Sequence, residues 1–178
     1  MITNELQYLL SVEQINSELI KKVVLSPNPD WLNNLIEAFK RDNYCHFNAM
    51  KLVEVLNSKI PHNDNLLKTE IKYVLGLIAG LDVHEHAFIK IGNNYYDPAN
   101  DLRVREYDVY SLLEINQVEL IELLDKHDMH EFGLLLMTLR KDEDFSHLFI
   151  ANFDTISADI ELELINYLQQ EESMKHGI

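Results

Sequence analysis

The sequence is poor in the features that mark several common protein classes. Its single cysteine, Cys45, allows no internal disulfide, which fits a reducing compartment. Its five glycines form no phosphate-cradling loop, and no run of about 18 apolar residues suggests a transmembrane helix. The first residues, MITNELQYLLSVEQ, have neither the basic start nor the cleavage site of a signal peptide. We therefore expect a cytoplasmic protein, with a non-classical route of secretion left open.

Basic residues are also scarce. The chain has 15 lysines and arginines against 30 aspartates and glutamates, a formal net charge of −15. Nucleic acids and anionic membranes both bind basic surfaces, so the charge argues against either as a partner. It helps solubility and could attract a basic partner. The sequence predicts no cofactor and leaves the oligomeric state open.

The length is that of one domain. The 178 residues, 47% of them hydrophobic, are enough to bury a core, and no linker or repeat divides them. We expect a single domain over 1–178 of the α+β class, with helices flanking a small antiparallel sheet. Its core should cover about 26–110 and a helical C-terminal extension about 111–178.

Apolar periodicity predicts the individual elements. Helices are expected at 4–25, 31–40, 44–57, 116–126, 130–140 and 143–150, with a final helix that ends at about 172. Strands are expected at 70–79, 83–91, 95–97 and 102–109. Asp30 is the predicted N-cap of the helix at 31–40, and Asn116 with Glu119 forms a predicted capping box.

The strand predicted at 83–91 has two different faces, because side chains alternate along a strand. One face is apolar and contains Ala87, Ile89 and Ile91. The other face contains His86, Phe88 and Lys90.

A tight turn is predicted directly after this strand. Gly92-Asn93 suits a type II′ turn, which needs glycine at its first central position. With that turn, Asp97 lies on the same face as His86, one diagonal step of roughly 7 Å away. If Asn93-Asn94 forms the loop instead, Asp97 stays on that face but lies one step further away. Either register lets the carboxylate approach the imidazole.

Cys45 is predicted in the first turn of a helix, with Asp42 or Asn43 as the cap. The inward stripe of that helix is Cys45, Ala49, Leu52, Val53 and Leu56. A helix N-terminus lowers the pKa of a thiol through its partial positive charge, and a nearby imidazole completes the activation. The alternative is that Cys45 is a small buried hydrophobe.

This order of a helix-start cysteine, a strand histidine and an aspartate on the paired strand resembles that of papain-like and transglutaminase-like cysteine enzymes. The segments that carry the resemblance are NYCHFNA at 43–49, HAFIKIG at 86–92 and YYDP at 95–98. The resemblance covers about 40–100. It implies a helix that carries the cysteine and packs on an antiparallel sheet.

The resemblance also implies an acyl-transfer site for an amide, isopeptide or thioester carbonyl. The expected partner is therefore a peptide, a protein or a small acyl substrate, and the net charge leaves a basic one open. In that site Cys45 attacks the carbonyl, His86 transfers the proton and Asp97 orients the imidazole. Papain-like enzymes use an upstream glutamine to help hold the oxyanion, which this chain lacks at the corresponding place. Asn43, or the backbone N–H of Cys45 together with another amide, is the expected substitute.

Two other interpretations remain open at this point. The first is an acidic interaction protein that keeps the fold without the chemistry, as the net charge suggests. The second is a metal site, because His84 and His86 share one strand face and Cys45, His46 or Asp97 would supply further ligands. We expect His84 to be a polar rim residue and His46 to point elsewhere on its helix.

Overall fold

The computed structural model describes residue 10 and residues 14–59, 69–79, 83–99 and 107–150. The strands are β1 (Lys21–Val23), β2 (Ile71–Ala79), β3 (Val83–Ile91), β4 (Asn94–Tyr96) and β5 (Asp108–Ile115). The helices are α1 (Asp30–Ile36), α2 (Cys45–Lys59), α3 (Gln117–His127) and α4 (Leu136–Leu139), followed by a 3₁₀ helix at Glu143–Leu148. Helices and strands are thus mixed, and the α+β class is confirmed.

The strands form one antiparallel sheet in the order β1-β5-β2-β3-β4. β2 lies at the centre, and every residue of it but Lys72 is buried. Among the helices of the described residues, none is long and apolar enough to cross a membrane.

The sheet separates two clusters of buried side chains. The larger cluster lies on the side of α2 and includes Leu52, Val53 and Leu56 of that helix with Leu75, Leu77 and Ile89 of the sheet. The smaller cluster lies on the other face and contains Val23, Val74, Ile78, Phe88, Tyr95 and Val109. Each fully buried side chain of this size contributes about 1.5–3 kcal/mol, so the larger cluster dominates the stability of the fold.

The segment after β1 brings the two edges of the sheet together. Val23 pairs with Val109 of β5, and Leu25 forms a bridge with Tyr95 of β4. The N–H of Ser26 donates to the carbonyl of Tyr95 at 2.7 Å. Because two residues span at most about 7 Å, the sheet must curl around the smaller cluster.

β3 and β4 have the register predicted from the Gly92-Asn93 turn. Ile91 pairs with Asn94 across the turn. Gly92 has a φ of +59°, as the first central position of a type II′ turn requires. The alternative loop at Asn93-Asn94 is therefore wrong, and Asp97 follows β4 in the nearer of the two predicted positions.

α3 begins with the predicted capping box. The side chain of Asn116 accepts hydrogen bonds from the N–H groups of Val118 and Glu119 at 2.9 and 3.1 Å. In return, the carboxylate of Glu119 accepts from the N–H of Asn116 at 2.8 Å. These bonds satisfy backbone donors that have no acceptor within the helix.

The helix predicted over 4–25 is wrong for the described residues 14–25. Ile15 forms a bridge with Phe149, and the chain then enters β1. The segment contains several β-branched residues, which favour a strand, although its apolar residues recur at helical spacing. Pairing of Lys21–Val23 with β5 decides between them, because it buries Val23 against Val109 in the smaller cluster.

Several predicted boundaries also shift. β5 ends at Ile115, so the sheet extends beyond the predicted strand at 102–109 and beyond the predicted core of 26–110. α1 starts at Asp30, which makes Pro29 the N-cap residue in its place. Trp31, in the first turn of α1, is 47% exposed.

The start of α2 is close to its predicted position. The helix begins at Cys45, which makes Tyr44 the cap position and not Asp42 or Asn43. The predicted stripe is buried at Ala49, Leu52, Val53 and Leu56. Residues 102–106 of a predicted strand and the predicted final helix to about 172 lie outside the described residues.

Asn116→Ala tests the capping box of α3. The substitution removes the oxygen that accepts from two backbone N–H groups, and we expect the free energy of unfolding to fall by about 1 kcal/mol. Asn116→Asp keeps an acceptor at the helix N-terminus and should stay within about 0.5 kcal/mol of the wild type. Urea unfolding followed by circular dichroism measures both. An equal loss in the two variants would show that the cap is not the cause.

Candidate active site

Cys45 is the first residue of α2 and is partly exposed. The N–H of Asn48 donates to the carbonyl of Tyr44 at 2.9 Å, which closes the first turn of the helix. The earlier N–H groups of that turn have no acceptor within the helix. Cys45 therefore lies at the positive end of the helix dipole, where a thiolate is favoured.

A buried amide holds the turn before α2. Asn48 has no exposed surface. Its Oδ1 accepts from the N–H of Arg41 at 2.9 Å, and its Nδ2 donates to the carbonyl of the same residue at 2.8 Å. The guanidinium of Arg41 lies over the ring of Phe47, 3.7 Å from the centroid. The chain that leads to Cys45 is thus anchored to the helix that Cys45 begins.

His86 and Asp97 meet as the hairpin register predicts. Nε2 of His86 is 3.1 Å from Oδ1 of Asp97, and both side chains are less than a tenth exposed. The same Oδ1 accepts from the N–H of Ala99 at 2.9 Å, and the carbonyl of Asp97 accepts from Nδ2 of Asn28 at 2.8 Å. The carboxylate holds a proton on Nε2, which leaves Nδ1 to face the thiol.

Phe88 forms an apolar wall beside His86. The two rings are nearly parallel, with centroids 6.5 Å apart and planes at 25°. Gly76 pairs with His86 in the sheet and makes room for this wall. A Cβ at Gly76 would lie 2.6 Å from the ring of Phe88 and 2.3 Å from the carbonyl oxygen of Tyr110. The glycine is therefore required by close packing.

The thiol of Cys45 interacts with two imidazoles, those of His46 and His86. Burial by itself raises the pKa of the thiol, but the hydrogen bonds and charges of the two rings outweigh burial and lower the pKa to about 5. Burial would lower the pKa of His86, whereas its hydrogen bonds with Asp97 and Cys45 raise it to about 9. Between these two values the site holds a thiolate beside an imidazolium.

The prediction that His46 points elsewhere on the helix is wrong. Its Nδ1 is 2.9 Å from the carbonyl oxygen of Leu134 and 3.1 Å from the hydroxyl of Tyr73. Its Nε2 is 3.5 Å from Oε1 of Glu85. Burial lowers the pKa of His46, but the hydrogen bond with Cys45 and the charges of Cys45 and Glu85 raise it overall.

Sequence reasoning missed this second histidine together with its carboxylate. Glu85 lies two residues before Ala87 and four before Ile89 on β3. Its side chain is therefore on the same face as theirs, the apolar face that α2 covers. A carboxylate on such a face needs a partner, because burying an unpaired charge is costly. His46 lies in the first turn of α2, the helix that covers this face. A carboxylate on an apolar strand face, together with a histidine in the covering helix, was the pattern from which the pair could have been predicted.

The remaining predicted residues lie apart from this cluster or are untested. His84 is exposed on β3. The part of the chain that the structure describes contains no group of three or more His, Cys, Asp or Glu side chains that could hold a metal ion. Asn43 is exposed, with a φ of +64°, two residues before Cys45. Its role in holding an oxyanion stays a prediction.

Neither protein-family models, nor curated proteins, nor solved structures give a match to this chain. The function is therefore argued from the geometry of the site.

The thiol of Cys45 should react as a thiolate in mildly acidic solution. Because its pKa is lowered to about 5, the rate of alkylation by iodoacetamide should rise through about pH 5 and then level off. The unfolded chain, as the control, should titrate near the ordinary cysteine value of about 8.5. With one cysteine in the chain, intact mass reports a single site. A native rate that rises only near the ordinary value would contradict the activated thiolate.

Proposed function

We propose that this protein is a cysteine hydrolase or acyl transferase in which Cys45, His86 and Asp97 form the catalytic triad. The observation that carries the proposal is the series of contacts from Cys45 to His86 and from His86 to Asp97. The only thiol of the protein lies at a helix N-terminus beside an imidazole, and the other nitrogen of that imidazole meets a buried carboxylate. Acyl transfer by a thiol needs a nucleophile, a base and an orienting group in this relation.

We further propose that the fold is of the papain-like or transglutaminase-like kind. In support, the nucleophile begins a helix that packs on an antiparallel sheet. The base lies on β3, and the carboxylate follows directly after the neighbouring strand β4. This is the order of helix and strands on which the resemblance was based.

The first half of the reaction would form a thioester. The sulfur of Cys45 attacks the carbonyl carbon of the substrate, a C–S bond forms, and the carbonyl electrons move to the oxygen. When the oxyanion collapses, the bond to the leaving group breaks, and the leaving amine or thiol takes the proton from His86. Asp97 keeps the ring oriented and stabilises its charged form.

The second half would release the acyl group. The imidazole of His86, now neutral, takes a proton from water or from an acceptor amine as that group attacks the thioester carbon. The C–S bond then breaks and Cys45 leaves as a thiolate, which restores the starting ion pair. Water as the acceptor gives a hydrolase, and an amine gives a transferase.

The oxyanion needs hydrogen-bond donors in the same place. The backbone N–H of Cys45 is one, since it belongs to the first turn of α2 and has no acceptor within that helix. Asn43 lies in the turn just before and is the proposed side-chain donor. Such donors stabilise the negative oxygen most when they are already in position before the reaction.

The charge of the protein bears on the substrate. A net charge of −15 favours a basic peptide, a basic protein or a small acyl compound attached to a basic group. A reducing cytoplasm would keep the thiol of Cys45 available for attack, and we propose that the protein acts there. An acidic interaction protein without chemistry is the rival, and it requires neither a reactive thiol nor an acyl-enzyme.

An activated acyl ester or thioester tests the proposal directly. The wild type should gain the mass of the acyl group on Cys45 and then lose it by turnover, whereas Cys45→Ala should do neither. Asp97→Asn should lower kcat/KM by about a hundredfold to ten-thousandfold, because the amide favours the wrong ring tautomer. Asp125→Asn, at a carboxylate whose side chain is 66% exposed on α3, is the matched control and should change nothing. Absence of any acyl-enzyme in the wild type would favour the interaction protein.

Turnover should depend on pH at two points. Below about pH 5 the thiol of Cys45 is protonated and loses its nucleophilicity, and above about pH 9 the imidazole of His86 loses the proton that the leaving group needs. We therefore expect a bell-shaped profile of kcat/KM with these limits, which belong to the coupled pair. Activity that keeps rising above the upper limit would exclude His86 as the acid.

A further inference from the structure

We infer that His46 and Glu85 form a second base–carboxylate pair on the sulfur of Cys45, and that this pair keeps the free sulfur ionised when His86 is neutral. The inference rests on the proposed function only in taking Cys45 as the nucleophile. His86 and Asp97 approach from one face of β3, and Glu85 lies on the other face, where His46 meets it. The sulfur thus has an imidazole with a carboxylate behind it on each side.

Hydrogen bonding assigns the tautomer of His46. The carbonyl oxygen of Leu134 can only accept, so Nδ1 of His46, at 2.9 Å, must carry a proton. The hydroxyl of Tyr73 donates to the same carbonyl at 2.9 Å, so the oxygen is doubly engaged. Nε2 therefore holds the lone pair in the neutral ring and can take the proton of Cys45. Glu85, at 3.5 Å from Nε2, stabilises the ring once it is charged.

The two histidines leave opposite ring nitrogens for the sulfur of Cys45. Nε2 of His86 is engaged by its carboxylate, so Nδ1 is the nitrogen left for the hydrogen bond with Cys45. His46 anchors Nδ1 on a backbone carbonyl, so that Nε2 is the nitrogen left for the carboxylate and the sulfur. Each ring is therefore held in a tautomer that leaves a basic nitrogen for Cys45.

The segment that leads into α4 is shaped to hold this second pair. The N–H of Leu136 donates to Oε1 of Glu85 at 2.7 Å. Gly133 has a φ of +83°, and a Cβ there would lie 2.6 Å from the carbonyl carbon of His46. Backbone groups on both sides of Leu134 thus contact the histidine and its carboxylate.

The charge of His46 depends on every titratable group around it. Cys45 of α2 and Glu85 of β3 favour the imidazolium, and His86 of the same strand opposes it. Tyr73 of β2 is fully buried and its pKa is raised well above the ordinary value, mainly by burial, so it stays neutral. The balance of these groups leaves the pKa of His46 raised.

The chemical consequence concerns the second half of the proposed reaction. His86 is neutral at that stage, because the leaving group has taken its proton, and it now accepts one from the attacking water or amine. Cys45 then leaves as a thiolate, and the pair of His46 and Glu85 is a second source of stabilisation for that charge beside His86. His46 exchanges no proton with the substrate in this scheme, and Glu85, 3.5 Å from its Nε2, favours the charged ring that stabilises the departing sulfur.

Alkylation of Cys45 by iodoacetamide across pH tests the inference without any substrate. We expect His46→Gln to lower the rate at about pH 5 by about tenfold, because a smaller fraction of the sulfur is ionised there. Glu85→Gln keeps the acceptor for the N–H of Leu136 and removes the charge, so it should shift the profile less and in the same direction. His127→Gln removes a histidine that meets Asp142 at 2.8 Å away from the site, and should leave the profile unchanged.

His86→Gln gives the contrasting result. We expect its alkylation profile to stay acid-shifted through His46, while turnover of an activated acyl ester is lost. A profile that is unchanged in His46→Gln but returns to that of an ordinary cysteine in His86→Gln overturns the second pair and leaves the triad intact. An ordinary profile in the wild type overturns the proposed function itself. If His46→Gln does not fold, as judged by circular dichroism, an unchanged profile in Glu85→Gln is sufficient to overturn the inference.

Discussion

The site depends on the balance between burial and hydrogen bonding at one sulfur atom. Burial disfavours a charged thiolate, and at Cys45 it is the largest single effect on the pKa. Only partners that are themselves held in place can outweigh it, because a mobile imidazole would lose the contact. The fold supplies such partners by fixing one ring to Asp97 and the other to the carbonyl of Leu134.

The curled sheet explains how these groups come together. β3 presents alternate residues to two different environments, the helix-covered cluster and the smaller cluster on the other face. His86 and Glu85 are neighbours in sequence and so lie on opposite faces. α2 brings Cys45 and His46 to the same end of the strand from outside the sheet. Residues of one strand therefore approach the sulfur of Cys45 from both sides.

Much of the candidate site could be predicted because it follows from local rules. The alternation along β3 and the glycine of the Gly92-Asn93 turn determine that Asp97 faces His86, and the apolar stripe of α2 determines where Cys45 lies. These features need only strand geometry, turn chemistry and helical spacing. The capping box of α3 was predictable for the same reason.

The rest could not be predicted because it depends on tertiary pairing. β1 is a strand only because β5 is beside it, and the side chain of His46 is directed by the carbonyl of Leu134, 88 residues further along the chain. No local pattern reports such a contact. A charged residue on an apolar strand face, such as Glu85, is the nearest available indication.

The close fit of Gly133 against the backbone of His46 sets a lower limit on the length of a fragment that keeps the surroundings of Cys45 intact. A fragment that stops after β5 would retain the three proposed triad residues and lack the peptide groups that hold the second imidazole. The described residues 116–150 would then belong to the proposed reactive centre, and a protein trimmed to its sheet and first two helices would lose the contacts that position His46.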